Sequence, residues 1–323
     1  MSLSKKKNTE DLDSFILSYK RDVPNFYDEG ESEVLHVPVE DGVIRVYHHK
    51  PKMVKTKRPI IFIPGFGTTL QSWRDFHKTH HGFAEYYHIE TRDKKSGQIR
   101  RHIKVDLTID RIAKDIANVI EFVGLTDQKY VIVASCMNGG VLLHGLIKEY
   151  FNPSTAIVFD PFTKWTQYRF FVKLVMPVFP PFLLGALKFI IGKIIMANMK
   201  NEAQKERNMD MLENAVPWKW RKFSLQNVNF DLTDEMIKIS NEVFVFHGPL
   251  DKFHPDEVFR NVAKRMPKGR YFFMKTSEEN RELLVGVIAT LFSSISEQDG
   301  VPDDLVPYEV NLNRELDLQT YAS

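Results

Sequence analysis

Between Tyr130 and Leu146 the chain reads YVIVASCMNGGVLLHGL: an apolar strand pattern, a cluster of small residues, then an apolar helix-like run. Strand, sharp turn and helix in that order is the arrangement that presents a nucleophile, because the turn pushes one side chain out above the sheet. The residues two positions either side of that side chain must be small. Cys136, flanked at those positions by Ala134 and Asn138, meets the requirement best; Ser135 would have Val133 and Met137 there, and Met137 offers no nucleophilic atom. A thiol at a helix N-terminus is expected to ionise more readily, since backbone N–H groups and the helix dipole favour negative charge. The competing reading is a buried, inert cysteine.

Other residues could work with that thiol. Asp251 follows a strand pattern, EVFVFHGPLD, and could orient an imidazole or instead cap the helix that begins near Pro255. His254 lies three residues further on and could serve as base, as could Glu278 or Glu279 if burial raised their pKa. Asp160 ends another strand pattern, TAIVFDP, and is an alternative acid. His77, His80 and His81 have helical spacing that suggests a metal, but no carboxylate or cysteine cluster completes a site. They are read as a solvated or half-buried face, and neither metal nor cofactor is expected.

The elements around these residues describe a globular α/β protein. Its 323 residues suit one α/β core carrying an insertion, with 43% hydrophobic and 27% charged residues and a formal net charge of +2. Acids are interspersed with bases, which argues against nucleic acid. A single cysteine excludes an intrachain disulfide. The N-terminal lysines have no apolar stretch behind them, so the expected location is cytoplasmic.

Residues 1–33 read as a polar arm with a short helix around DLDSFILSYKRD. Asp41-Gly42 between two β-branched runs predicts a hairpin. Uninterrupted apolar runs at 60–63 and 130–134 predict strands buried on both faces, and the spacing of Ile109, Ile112, Ile116, Val119, Ile120 and Val123 predicts a crossover helix ending at Gly124. Together they predict a mostly parallel sheet with helices on both faces, in two parts, 34–161 and 241–296. Between them, 162–240 is apolar, broken by prolines and dotted with lysines. Its longest uncharged run is too short to cross a bilayer, so a helical lid is expected. An acidic tail, 297–323, is expected to pack loosely or to be disordered.

The order of these features resembles the α/β-hydrolase superfamily. The motifs that carry the resemblance are IPGFGTTLQSW, IAKDIANVIEFVGLTDQKYVIVASCMNGG, VFDP and VFHGPLD. It implies an α/β-hydrolase fold with Cys136 as nucleophile, Asp251 as the triad acid, and the N–H groups of Phe66 and Met137 as an oxyanion hole. The chain departs from the family's pattern in three places: cysteine replaces the common serine, Asn138 replaces a glycine, and the loop KTSEENREL lacks the usual histidine. His254 is the remaining candidate base.

The apolar lid, with Trp165, Phe182 and Leu183 as substrate contacts, suits a small apolar substrate such as an acyl chain. Its lysines also allow peripheral contact with a membrane. Oligomeric state is not legible. The expected activity is that of an esterase, thioesterase or acyltransferase; the alternative is a catalytically degenerate member of the fold that binds a hydrophobic ligand or partner.

Overall fold

A computed structural model of the protein describes residues 9–21, 32–166, 169–197, 202–248 and 255–312. After a first helix, α1 (Thr9–Ser18), strands β1 (Glu33–Val39) and β2 (Gly42–His49) form the hairpin, turning at Asp41 with φ 66°. β3 (Ile60–Ile63), the short helix α2 (Arg74–His77), β4 (Tyr86–Glu90) and the short β5 (Gln98–Ile99) follow. Next come the crossover helix α3 (Ile109–Phe122), β6 (Val131–Ser135), α4 (Met137–Ile147) and β7 (Thr155–Phe159). The chain finishes with β8 (Val243–His247), α9 (Asp256–Arg265), β9 (Gly269–Phe273), α10 (Arg281–Ser294) and β10 (Glu309–Val310).

The strands form one sheet in the order β1-β2-β4-β3-β6-β7-β8-β9-β10, with β5 beside β2. From β4 to β9 all neighbours are parallel, and the antiparallel pairs lie at the two ends. Alternate side chains of each central strand enter opposite cores. Ile61, Ile63, Ile132 and Ala134 pack with α3, α4 and α9, while Ile60, Phe62, Val131 and Val133 pack with α1, α2 and α10. Burial on both faces is why these strands are apolar without alternation. Thr108 caps α3, its side chain accepting from Arg111 N–H, and Gly124 ends the helix region at φ 71°.

Among the described residues four α-helices lie between β7 and β8: α5 (Arg169–Leu174), α6 (Pro181–Ala197), α7 (Glu202–Asn214) and α8 (Pro217–Asn227). α8 is pinned to the core by side chains that satisfy loop backbone. Asn227 Oδ1 accepts from Ile109 N–H at 2.9 Å and its Nδ2 donates to Leu107 O at 3.0 Å, closing the start of α3. Lys219 Nζ, buried, donates to the carbonyls of Arg92, Lys94 and Gly97 at 2.8, 2.6 and 2.7 Å.

Two sequence expectations need correction. Residues 297–312 do not pack loosely: Leu305 is fully buried, Leu312 is buried, and β10 pairs with β9, where Arg270 holds Glu309 through two hydrogen bonds. Two apolar anchors outweigh the acidic composition. His77, His80 and His81 are likewise not a solvated face, because β4 and α10 cover the short α2 and bury all three.

Candidate active site

The carboxyl ends of β3, β6, β7 and β8 converge on Cys136. β6 runs into α4 through this one residue, whose backbone has φ 52° and ψ −125°, a region that L side chains rarely adopt. Its N–H donates to Phe159 O at 2.9 Å, and its C=O accepts from Gly139 N–H and Phe162 N–H, so hydrogen bonds on both sides hold the turn. The glycines after it are required by close approach. A Cβ on Gly140 would lie 2.1 Å from the carbonyl oxygen of Phe162, and one on Gly139 would lie 3.0 Å from Pro161. Asn138, the departure from glycine, is fully buried and useful: its Nδ2 donates to Pro64 O at 2.5 Å, tying α4 to the loop after β3.

That loop passes directly over the thiol, and a Cβ on Gly65 would sit 3.6 Å from Cys136 Cβ. Buried Lys94 donates to Gly65 O and pairs with Asp93 at 3.5 Å, while Gly67 N–H donates to Asp93 Oδ2 at 3.1 Å. The Phe66 ring lies against Trp220 and Phe223 of α8, with centroids 5.5 and 4.4 Å away, and Trp165 stands 6.4 Å from Phe223. On the far side of Gly67 a polar cleft of about 410 Å³ is lined by Thr68, Thr69, Lys94, Glu90 and Asp210, among others.

The next strand end supplies charge. Asp160, directly after β7, also has a left-handed backbone at φ 47°. Its Oδ1 accepts from His247 Nδ1–H at 2.6 Å and its Oδ2 from Arg281 at 3.0 Å. His247 is fully buried, with the Phe259 and Phe273 rings tilted against it, and its Nε2 has no partner among the described residues. Arg281 begins α10, in the loop where the resemblance places a histidine.

Burial raises the pKa of the Cys136 thiol above its ordinary value, and Asp160 reinforces that shift. Arg281, the Met137 N–H that donates to the sulfur, and Lys94 oppose it. The expectation that the helix N-terminus would favour the thiolate therefore holds for one contribution and fails for the sum: desolvation is the largest cause. Lys94 is itself lowered by burial, against the pull of Asp93, Glu90 and Cys136.

Of the residues singled out from sequence, Cys136, Met137 and Phe66 come together here with Asp160. Asp251 and His254 lie outside the described residues. Trp165 reaches the aromatic cluster over the loop, whereas Phe182, 74% exposed, and Leu183 face solvent at the start of α6. Sequence reasoning missed Arg281, His247 and Lys94. The only available signal was position for His247 and Lys94, at or just beyond a strand end; Arg281, at the start of α10, offered none. Among the described residues no group of His, Cys, Asp and Glu could hold a metal ion.

No protein-family model matches the sequence, and no curated protein does. Solved structures do match in shape. A hydrolase from Pseudomonas aeruginosa superposes with a TM-score of 0.61 at 12% identity, over 81% of this chain and 98% of that one. A thermophilic esterase from Thermogutta terrifontis gives 0.60 at 17%, over 79% and 96%. This chain has the α/β-hydrolase fold. An esterase from Exiguobacterium antarcticum is similar again, at 0.60 and 15% identity over 78% and 97%. Cys136 stands at the turn from β6 into α4, and Arg281 opens the helix that follows the last parallel strand.

Proposed function

We propose that the protein cleaves or transfers the acyl group of an apolar ester or thioester through Cys136. One observation carries the reading: Cys136 keeps a left-handed backbone, which costs on the order of 1–3 kcal/mol and persists only where the surroundings over-determine it. An inert core thiol has no need of that conformation. The esterases among the structures of similar shape support hydrolysis of an ester.

In this reading the sulfur attacks the carbonyl carbon. The C–S bond forms as the carbonyl opens to an oxyanion, whose collapse breaks the bond to the leaving oxygen or sulfur, which takes the thiol proton. Water or an acceptor hydroxyl then attacks the thioester, carries off the acyl group and returns its proton to the sulfur. The Met137 N–H and the Phe66 N–H receive the developing oxyanion, and losing one such donor typically costs about 10²–10³ in rate. Arg281, held by Asp160, stabilises the thiolate. Asp251 and His254 remain the proposed acid and base. The helices between β7 and β8 act as a lid, and the acyl chain lies against Phe66, Trp165 and Trp220.

A second reading is a degenerate member of the fold that binds an apolar ligand. Arg281 in the histidine's loop and the raised thiol pKa favour it. Incubation with activated esters of short and long acyl chains, followed by intact-mass measurement, separates the two. The acyl reading expects an adduct on the native protein and none on Cys136→Ala. Absence of both turnover and adduct at every chain length would leave only the binder.

A further inference from the structure

From residue 161 to residue 201 the sequence contains six cations (Lys164, Arg169, Lys173, Lys188, Lys193 and Lys200) and no carboxylate, in a chain whose net charge is only +2. The same stretch exposes large apolar side chains on α5, on the turn after it and at the start of α6. Phe170 is 76% exposed, Val178 80% and Phe182 74%, with Leu174 and Ile190 also exposed. Isolated exposed apolar residues are ordinary, but a run of them within one short segment marks an interaction surface. Lys173 and Lys193 are exposed beside them. No helix among the described residues is long and apolar enough to cross a membrane, and α6 has 17 residues.

We propose that the surface formed by α5, the 175–180 turn and α6 docks on an anionic lipid bilayer. Phe170, Val178 and Phe182 enter the boundary between headgroups and acyl chains, and Lys173 and Lys193 meet lipid phosphates. Charge selects this occupant. A protein partner would need its own concentrated acidic face, whereas an anionic leaflet presents negative charge everywhere along an unbroken apolar-cationic segment. The surface is mechanically tied to the thiol's entrance. Arg221 of α8 donates to the carbonyls of Met176 and Pro177 at 2.8 and 2.5 Å, and its neighbours Trp220 and Phe223 lie on the Phe66-Gly67 loop above Cys136. Docking would bring that loop to the lipid surface.

The test is sedimentation of the full chain with vesicles of phosphatidylcholine alone and with about 30% phosphatidylserine added. The native protein should partition at least ten-fold more strongly to the anionic vesicles, and less so at high salt. The double substitution Lys173→Glu/Lys193→Glu should abolish the preference for anionic lipid. The triple substitution Phe170→Ser/Val178→Ser/Phe182→Ser should lose binding to both kinds of vesicle, with thermal unfolding unchanged because these residues are exposed. Cys136→Ala should bind vesicles as the native protein does, so this result and the acylation result stand or fall separately. No vesicle binding by the native protein, or unchanged binding by both variants, overturns the proposal. So does a native dimer that the triple substitution converts to monomer without affecting vesicles, which would make the face a contact between copies.

Discussion

Two buried clusters, one beside α2 and one at the strand ends around Cys136, handle ionisable side chains in opposite ways. Beside α2, five imidazoles, His49, His77, His80, His81 and His88, are buried around Tyr86. His77 Nε2 and His88 Nδ1 share a hydrogen bond at 3.1 Å, and Thr79 and Tyr86 hydroxyls meet His80 and His81. Burial is the main reason the His77 pKa is pushed down to about 3, and His80 and His88 go the same way for the same reason. At the strand ends, by contrast, Asp160 binds both His247 and Arg281, and Lys94 pairs with Asp93. Histidines are concentrated where they serve packing, and at the strand ends a guanidinium shares a carboxylate with the one buried imidazole described there. Counting titratable side chains therefore says little about chemistry; their counter-charges say more.

The histidine cluster can be broken by acid, which should produce the largest effect. His77 binds a proton in the unfolded chain near pH 6.5 but in the folded chain only near pH 3. Its contribution to stability is complete above pH 6.5 and is lost progressively as pH falls towards 3. At pH 5 this loss is about 2 kcal/mol from His77 alone, with His80 and His88 acting in the same direction. Denaturant unfolding between pH 7 and pH 5 should show the decline. His80→Leu, which removes one neutral imidazole from the burden, should make it shallower. A flat profile would mean that the imidazoles are not held neutral.

The strand-end cluster should instead be broken by removing its shared carboxylate. Asp160→Ala leaves Arg281 and buried His247 without their common partner, and losing one member of a buried ionic group typically costs about 3–5 kcal/mol. The partial exposure of Arg281 puts the expectation at the lower end, about 3 kcal/mol in denaturant unfolding at pH 7. Asp160→Asn, whose single amide oxygen can still accept from one of the two partners, should lose less. Equal losses would show that charge rather than hydrogen bonding holds the group.

Much of the fold is legible in the sequence because it is written in local patterns. The unbroken apolar strands, Asp41-Gly42, the α3 spacing and the small residues around Cys136 each report their own neighbourhood. What escapes local reading depends on approach from a distance. Arg281 opens α10, and its partner Asp160 is 121 residues away. Lys94 sits in the polar run TRDKKSG, and only the passage of Gly65 overhead makes it a site residue. The thiol's pKa falls in the same class. The helix N-terminus that would lower it is local, and the burial that raises it is tertiary. At the histidine cluster the sequence offers helical spacing but not what covers it, because α2 is only four residues long and its environment comes from β4 and α10.

The smallest and most discriminating test concerns whether the guanidinium does for Cys136 what an imidazole would have done. Arg281 opposes the burial that raises the thiol pKa, because its positive charge favours the thiolate. In Arg281→Gln the charge is lost while a polar side chain of similar stem is kept. Alkylation of the single cysteine by iodoacetamide, followed across pH, reads the thiolate fraction directly. The variant should alkylate more slowly at neutral pH, with its pH midpoint moved up and its limiting rate at high pH unchanged. Slower alkylation at every pH would point instead to blocked access. An unchanged profile would show that Arg281 serves Asp160 alone, leaving the strand-end cluster a structural arrangement like the histidines.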